Sequence, residues 1–117
     1  MNKALALGFF QFDNLLRNRV PFALLKSQFD LESAFGVMEK MHLRTHSMPL
    51  AQLNLESAEA ALKERGTRKE DPVVIICETG EDSQRLAQAL ADQDYLNVYY
   101  VLGGWKGLQD EMRLERT

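Results

Sequence analysis

One cysteine, Cys77, stands in a chain of 117 residues, so no internal disulfide and no multi-cysteine zinc site can form. The two histidines, His42 and His46, are too few to build a metal cluster on their own. Proline is limited to three residues and glycine to seven, and neither gathers into a linker. Internal repeats are missing too. A chain of this length holds one modest core and not two, so residues 1–117 read as a single domain. No apolar run approaches the roughly 18–20 residues that cross a bilayer as a helix. Basic side chains number 14 against 17 acidic, a formal charge of −3, which argues against a nucleic-acid binder relying on a broad basic face. No phosphate-cradling glycine loop and no paired-carboxylate site occurs. What is present is an ordinary globular balance, 45% apolar and 26% charged. Any thiol chemistry must use one sulfur.

At the N-terminus Lys3 precedes Ala4-Leu5-Ala6-Leu7-Gly8-Phe9-Phe10, the outline of a short signal peptide. The stretch is at the lower limit of length, and Gln11-Phe12-Asp13 follows where a small-residue cleavage site belongs. A first strand, or an apolar lead into the first helix, is the expectation. A lone cysteine suits a reducing compartment, so the cytoplasm is the expected location.

Residues 11–19 place Phe12, Leu15 and Leu16 on one helical face. Val20 to Leu25 reads as a strand with proline near its start, where no ladder donor is needed. Asp30 to Met41 is helical in pattern, capped by Asp30 and striped by Leu31, Phe35, Met38 and Met41, with Gly36 as its weak point. A short strand is expected near Thr45–Met48. Asn54 caps a helix over Leu55–Arg65, with Leu55, Ala58, Ala61 and Leu62 on one face and Gly66 as its stop. The charged stretch from Lys63 to Asp71 reads as a solvated helix end and surface loop.

The clearest segment is Pro72-Val73-Val74-Ile75-Ile76-Cys77. It is β-branched and does not alternate, which predicts a strand buried on both faces, as in a parallel sheet covered by helices. A polar loop, Glu78-Thr79-Gly80-Glu81-Asp82, leads to Ser83 and a helix over Gln84–Gln93 striped by Leu86, Ala87, Leu90 and Ala91. A further strand covers Asn97–Leu102. Together these make a βαβ unit with a right-handed crossover. Gly103-Gly104 is a tight turn, and a last helix runs from Trp105 to about Arg113.

Cys77 thus falls at the C-terminal end of a buried parallel strand, the edge where open α/β sheets collect ligands. The following loop and first helical turn carry N–H groups without intrahelical partners. Curled around the sulfur, they would form a nest that stabilises a thiolate or persulfide anion. A thiolate placed there is a nucleophile for sulfur or acyl transfer. Ser83 adds a hydroxyl to the pocket or caps the helix. The plain alternative is an inert, buried strand cysteine.

Residues 72–108 resemble the second half of a rhodanese-like domain. That family has an apolar strand ending in Cys, a loop of the form Cys-x-x-Gly-x-Arg-Ser/Thr, a helix, a strand and then Gly-Gly-Trp. The corresponding residues are Cys77-Glu78-Thr79-Gly80-Glu81-Asp82-Ser83, Tyr95-Leu96-Asn97-Val98-Tyr99 and Leu102-Gly103-Gly104-Trp105. The resemblance implies an α/β fold: an open, mostly parallel five-stranded sheet with helices on both faces. It implies a sulfurtransferase in which Cys77 carries a persulfide and Glu78, Thr79, Gly80, Glu81, Asp82 and Ser83 form the substrate loop. The implied partners are a sulfur donor and a thiol acceptor, with no cofactor, metal, nucleic acid or membrane.

The first half departs from the pattern. Where the family carries Asp-x-Arg, the chain reads Lys26-Ser27-Gln28. Where it carries Gly-His-Ile-Pro-Gly-Ala, only His42-Leu43-Arg44-Thr45-His46 and the later Pro49 are available. The loop also departs in charge. Asp82 occupies the family arginine's place, and Glu78 and Glu81 add two more carboxylates. Carboxylates beside a sulfur disfavour its anion, whereas a helix N-terminus favours it. Three carboxylates also weaken capture of dianionic thiosulfate, so a different donor is expected. Arg85 lies eight residues beyond Cys77, too far for the Cys-x5-Arg loop of related phosphatases. Arg85 itself reads as an exposed helix residue, Trp105 as packing, and Tyr99 and Tyr100 as strand packing. Two functions stay open on the sequence: a persulfide carrier, favoured by Cys77, Gly80 and Ser83, and a non-catalytic binding or regulatory module, favoured by the acidic loop.

Overall fold

The fold is built around the β-branched run that the sequence marks most clearly. A computed structural model of the protein describes residues 3–115. Strand β4 (Val73–Ile76) is fully buried; Val73 and Ile75 enter one core while Val74 and Ile76 enter the other. Around it lie β1 (Leu5–Leu7), β2 (Ala23–Lys26), β3 (Ser47–Pro49) and β5 (Val98–Val101), in the order β1-β5-β4-β2-β3. All four pairings are parallel. Helices α3 (Leu55–Glu64) and α4 (Glu81–Asp92) cover one face through Ala58, Leu62, Leu86, Ala87, Leu90 and Ala91. Helices α1 (Phe9–Arg17), α2 (Val37–His46) and α5 (Gly104–Glu115) cover the other through Phe12, Leu16, Leu43 and Leu108. The open parallel α/β sheet that the resemblance implies is therefore the observed architecture. No helix among the described residues is long and apolar enough to cross a membrane.

Several boundaries differ from the sequence reading. The segment from Asp30 to Met41 is not one helix. Asp30 Oδ1 accepts the Ser33 N–H at 3.2 Å and closes a short 3-10 turn over Glu32–Ala34. Phe35 and Gly36 are then extended, and Gly36 becomes the N-cap of α2. A glycine inside a helix loses the most backbone entropy, so the break falls there. Leu31 and Phe35 are buried as expected, but Met38 and Met41 face solvent and Leu43 takes the core position. Helix α2 continues through His46, which leaves β3 to begin at Ser47. Helix α1 starts at Phe9, ahead of Gln11, because Gln11 Oε1 accepts the Gly8 N–H at 2.6 Å and fixes the entry turn. The Asn54 cap is as expected: its Oδ1 accepts the Ser57 N–H at 2.8 Å.

His42 and His46 sit at the end of the sheet away from Cys77. His42 Nε2 lies 2.7 Å from the Val20 carbonyl, just before β2, and His46 stacks on Phe22 with 6.0 Å between ring centroids. Burial first, then His42 and Arg65, hold the His46 pKa below the ordinary imidazole value. The unfolded chain therefore takes up a proton more readily than the folded one. The stability tied to neutral His46 is complete above about pH 6.5 and is lost as pH falls through that value toward the lowered folded pKa. The melting temperature should drop over this window, and His46→Gln should flatten the drop. An identical pH dependence in the variant would contradict this.

Candidate active site

Strand β4 delivers Cys77 to the C-terminal edge of the sheet, and alternation along the strand turns its side chain toward the α4 face. Gly80 then takes φ +97° and serves as N-cap of α4. This positive φ, open to glycine and rarely to other residues, folds the loop back over the sulfur. The Gly80 N–H donates to Cys77 Sγ at 3.1 Å and the Ser83 N–H donates at 3.3 Å. The thiol in turn donates to Ser83 Oγ at 3.3 Å, and that hydroxyl donates to the Gly80 carbonyl at 3.1 Å. Cys77 and Ser83 are buried, while Glu78, Thr79, Glu81 and Asp82 are exposed. Ser83 does not open the helix, because α4 already begins at Glu81 and Gly80 holds the capping position. Its side chain faces the sulfur.

The loop is braced from behind by α5. The Trp105 N–H donates to the Cys77 carbonyl at 2.8 Å and the Lys106 N–H to the Glu78 carbonyl at 3.0 Å. The first N–H groups of a helix have no intrahelical acceptor, so these bonds satisfy both the helix start and the loop. Gly104, at φ +64°, lets the two backbones meet. A Cβ there would lie 2.6 Å from Gly80 N.

In front of the sulfur is a cleft of about 500 Å³. Its walls are the Cys77 loop on one side and, on the other, Ser27 after β2 and the Ala51–Asn54 connection after β3. The sequence reading found the loop and missed this opposite wall. The signal was present in the fold rule: loops following neighbouring parallel strands meet at the carboxyl edge. Asp82 and Glu78 line the cleft. Arg85 does not point a free cation into it, since its guanidinium pairs with Asp82 at 3.6 Å on the exposed surface. Among the described residues no group of three or more His, Cys, Asp or Glu side chains is placed to hold a metal ion.

The sequence profile of the Rhodanese-like domain matches residues 27–111, most of the chain. The chain belongs to the rhodanese-like domain family. Part of it is 37% identical over 62 residues to the Adenylyltransferase and sulfurtransferase MOCS3-2 of Zea mays, covering 51% of this chain and 12% of that protein. Another part is 47% identical over 38 residues to the Thiosulfate sulfurtransferase GlpE of Actinobacillus succinogenes, covering 32% of this chain and 34% of that protein. The rhodanese-like chain therefore spans only a minor part of the length of these relatives. In overall shape it is similar to a thiosulfate sulfurtransferase from Pseudomonas aeruginosa, with TM-score 0.58 and 22% identity over 92% of this chain and 19% of that one. A rhodanese-related protein from Thermoplasma volcanium superposes with TM-score 0.55 and 17% identity over 92% of both chains. At these identities the structural likeness concerns the fold.

Proposed function

We propose that this rhodanese-like protein carries sulfane sulfur on Cys77 and transfers it to a thiol, using a donor other than thiosulfate. The observation that carries this reading is the pair of backbone N–H groups, from Gly80 and Ser83, aimed at one sulfur from a helix start. Such donors cost nothing to reorganise as negative charge accumulates on the sulfur. Ser83 adds a third: once the thiol is ionised, its hydroxyl can turn from the Gly80 carbonyl to the sulfur. In the first step the Cys77 sulfur attacks the terminal sulfur of an organic persulfide, R–S–SH. The new S–S bond gives Cys77–S–SH and R–SH leaves with the remaining proton. In the second step an acceptor thiol attacks that terminal sulfur and Cys77 regains its thiol. No oxidant or reductant is consumed.

The donor assignment rests on charge. Glu78 and Asp82 line the cleft, Glu81 is exposed beside Asp82 in the chain, and the nearby Arg85 is paired. A dianion approaches against this field, whereas a neutral or cationic persulfide does not. Steady-state transfer to a thiol acceptor, compared across donors, tests the reading. kcat/KM for a neutral organic persulfide is expected to exceed that for thiosulfate by an order of magnitude or more. Saturation at low thiosulfate with rapid turnover would overturn the donor assignment.

A further inference from the structure

Lys26 is the one charged residue that is buried among the described residues, 7% exposed at the end of β2. It pairs in register with Ile76, the residue before Cys77. A partly buried ammonium is costly unless its donors are satisfied. Its Nζ donates to the Ser27 carbonyl at 3.4 Å and to the Phe29 carbonyl, and it lies 4.9 Å from the centre of the Phe29 ring. That ring stacks against Trp105, 5.8 Å between centroids with the planes 25° apart. Trp105 is the residue whose N–H holds the Cys77 carbonyl. A continuous set of contacts thus runs from Lys26 through Phe29 and Trp105 to the backbone of the cysteine.

We infer that Lys26 is a positioning residue for Cys77: it pins the Phe29 turn, the Phe29 ring seats Trp105, and α5 then fixes the loop that presents Gly80 and Ser83 to the sulfur. Two features support this. The ammonium carries three donors, and from one position it reaches two carbonyls of the turn and the face of the Phe29 ring. Burial lowers the Lys26 pKa, while Glu32 and Asp30 oppose that shift and help retain the proton. The consequence for sulfur transfer rests on the function proposed above; the effect on loop order does not.

Trp105 is the only tryptophan, so its fluorescence reports the stack directly. Lys26→Met keeps the aliphatic stem and removes the cation. This variant should fold, show Trp105 several-fold more open to acrylamide quenching, and exchange the Trp105 and Lys106 amide protons about tenfold faster. Its rate of sulfur loading should fall by about the same factor, with the donor KM little changed. Phe29→Leu, which removes the ring, should reproduce both effects if the route runs through the stack. Wild-type quenching and exchange in Lys26→Met would overturn the inference, as would a defect in Phe29→Leu without one in Lys26→Met. Failure of the wild-type protein to accept sulfur, with the quenching and exchange changes still observed, would count against the transfer reading and leave Lys26 as the loop's brace.

Discussion

Gly104→Ala is expected to cost about 3 kcal/mol and to abolish orderly presentation of Cys77. Two effects add. The residue sits at φ +64°, where an L side chain costs about 1–2 kcal/mol. Its Cβ would also lie 2.6 Å from Gly80 N and 2.9 Å from the Glu78 carbonyl carbon, and closer still to the Cys77 carbonyl oxygen. Those are backbone atoms and cannot swing aside as a side chain would. Gly66 supplies the control, because it has φ +70° with nothing within 4 Å of the added carbon. Gly66→Ala should lose only about 1 kcal/mol, and the difference between the two variants isolates the collision. Urea denaturation measures both. Equal losses would show that α5 does not press on the loop.

The second large effect is on donor choice. Asp82→Arg exchanges a negative for a positive charge at the entrance and should raise kcat/KM for thiosulfate by about tenfold at moderate salt. A change of two charges acting on a dianion at roughly 6 Å in water amounts to about 3 kcal/mol, and ionic screening removes around half of it. The use of a neutral persulfide should barely move. The substitution also releases Arg85 from its 3.6 Å pair with Asp82, which acts in the same direction. Kinetics with both donors on both proteins provide the check. Equal gains for the neutral donor would mean that the acidic rim does not select by charge.

The residues that made the sequence readable are those whose signals are local. Val73 to Ile76 announce a doubly buried strand by composition, and Leu86, Ala87, Leu90 and Ala91 announce the packed face of α4. Cys77 followed by Gly80 and Ser83 places the candidate nucleophile from the order of residues alone. Other features depend on distant partners. Trp105 reads as packing, and half of its role is; the other half is a backbone bond to a carbonyl 28 positions earlier. Ala51–Asn54 become a cleft wall only because β2 and β3 sit beside β4 in the sheet. Periodicity extends the helix back to Asp30 because the exposed Met38 and Met41 imitate a core stripe, and spacing alone does not reveal which apolar face is covered. Lys26 carries no local mark of burial at all. Its environment is assembled by Phe29, Glu32 and a helix from the other end of the chain.

The most direct test weighs the intact protein after exposure to a neutral organic persulfide. Native protein should gain one sulfur that cyanide strips off, and Cys77→Ser should gain none. A native protein that stays at its starting mass across neutral, cationic and anionic sulfane donors would contradict the account, because a sulfur ringed by the Gly80 and Ser83 amides would then have no anion to hold.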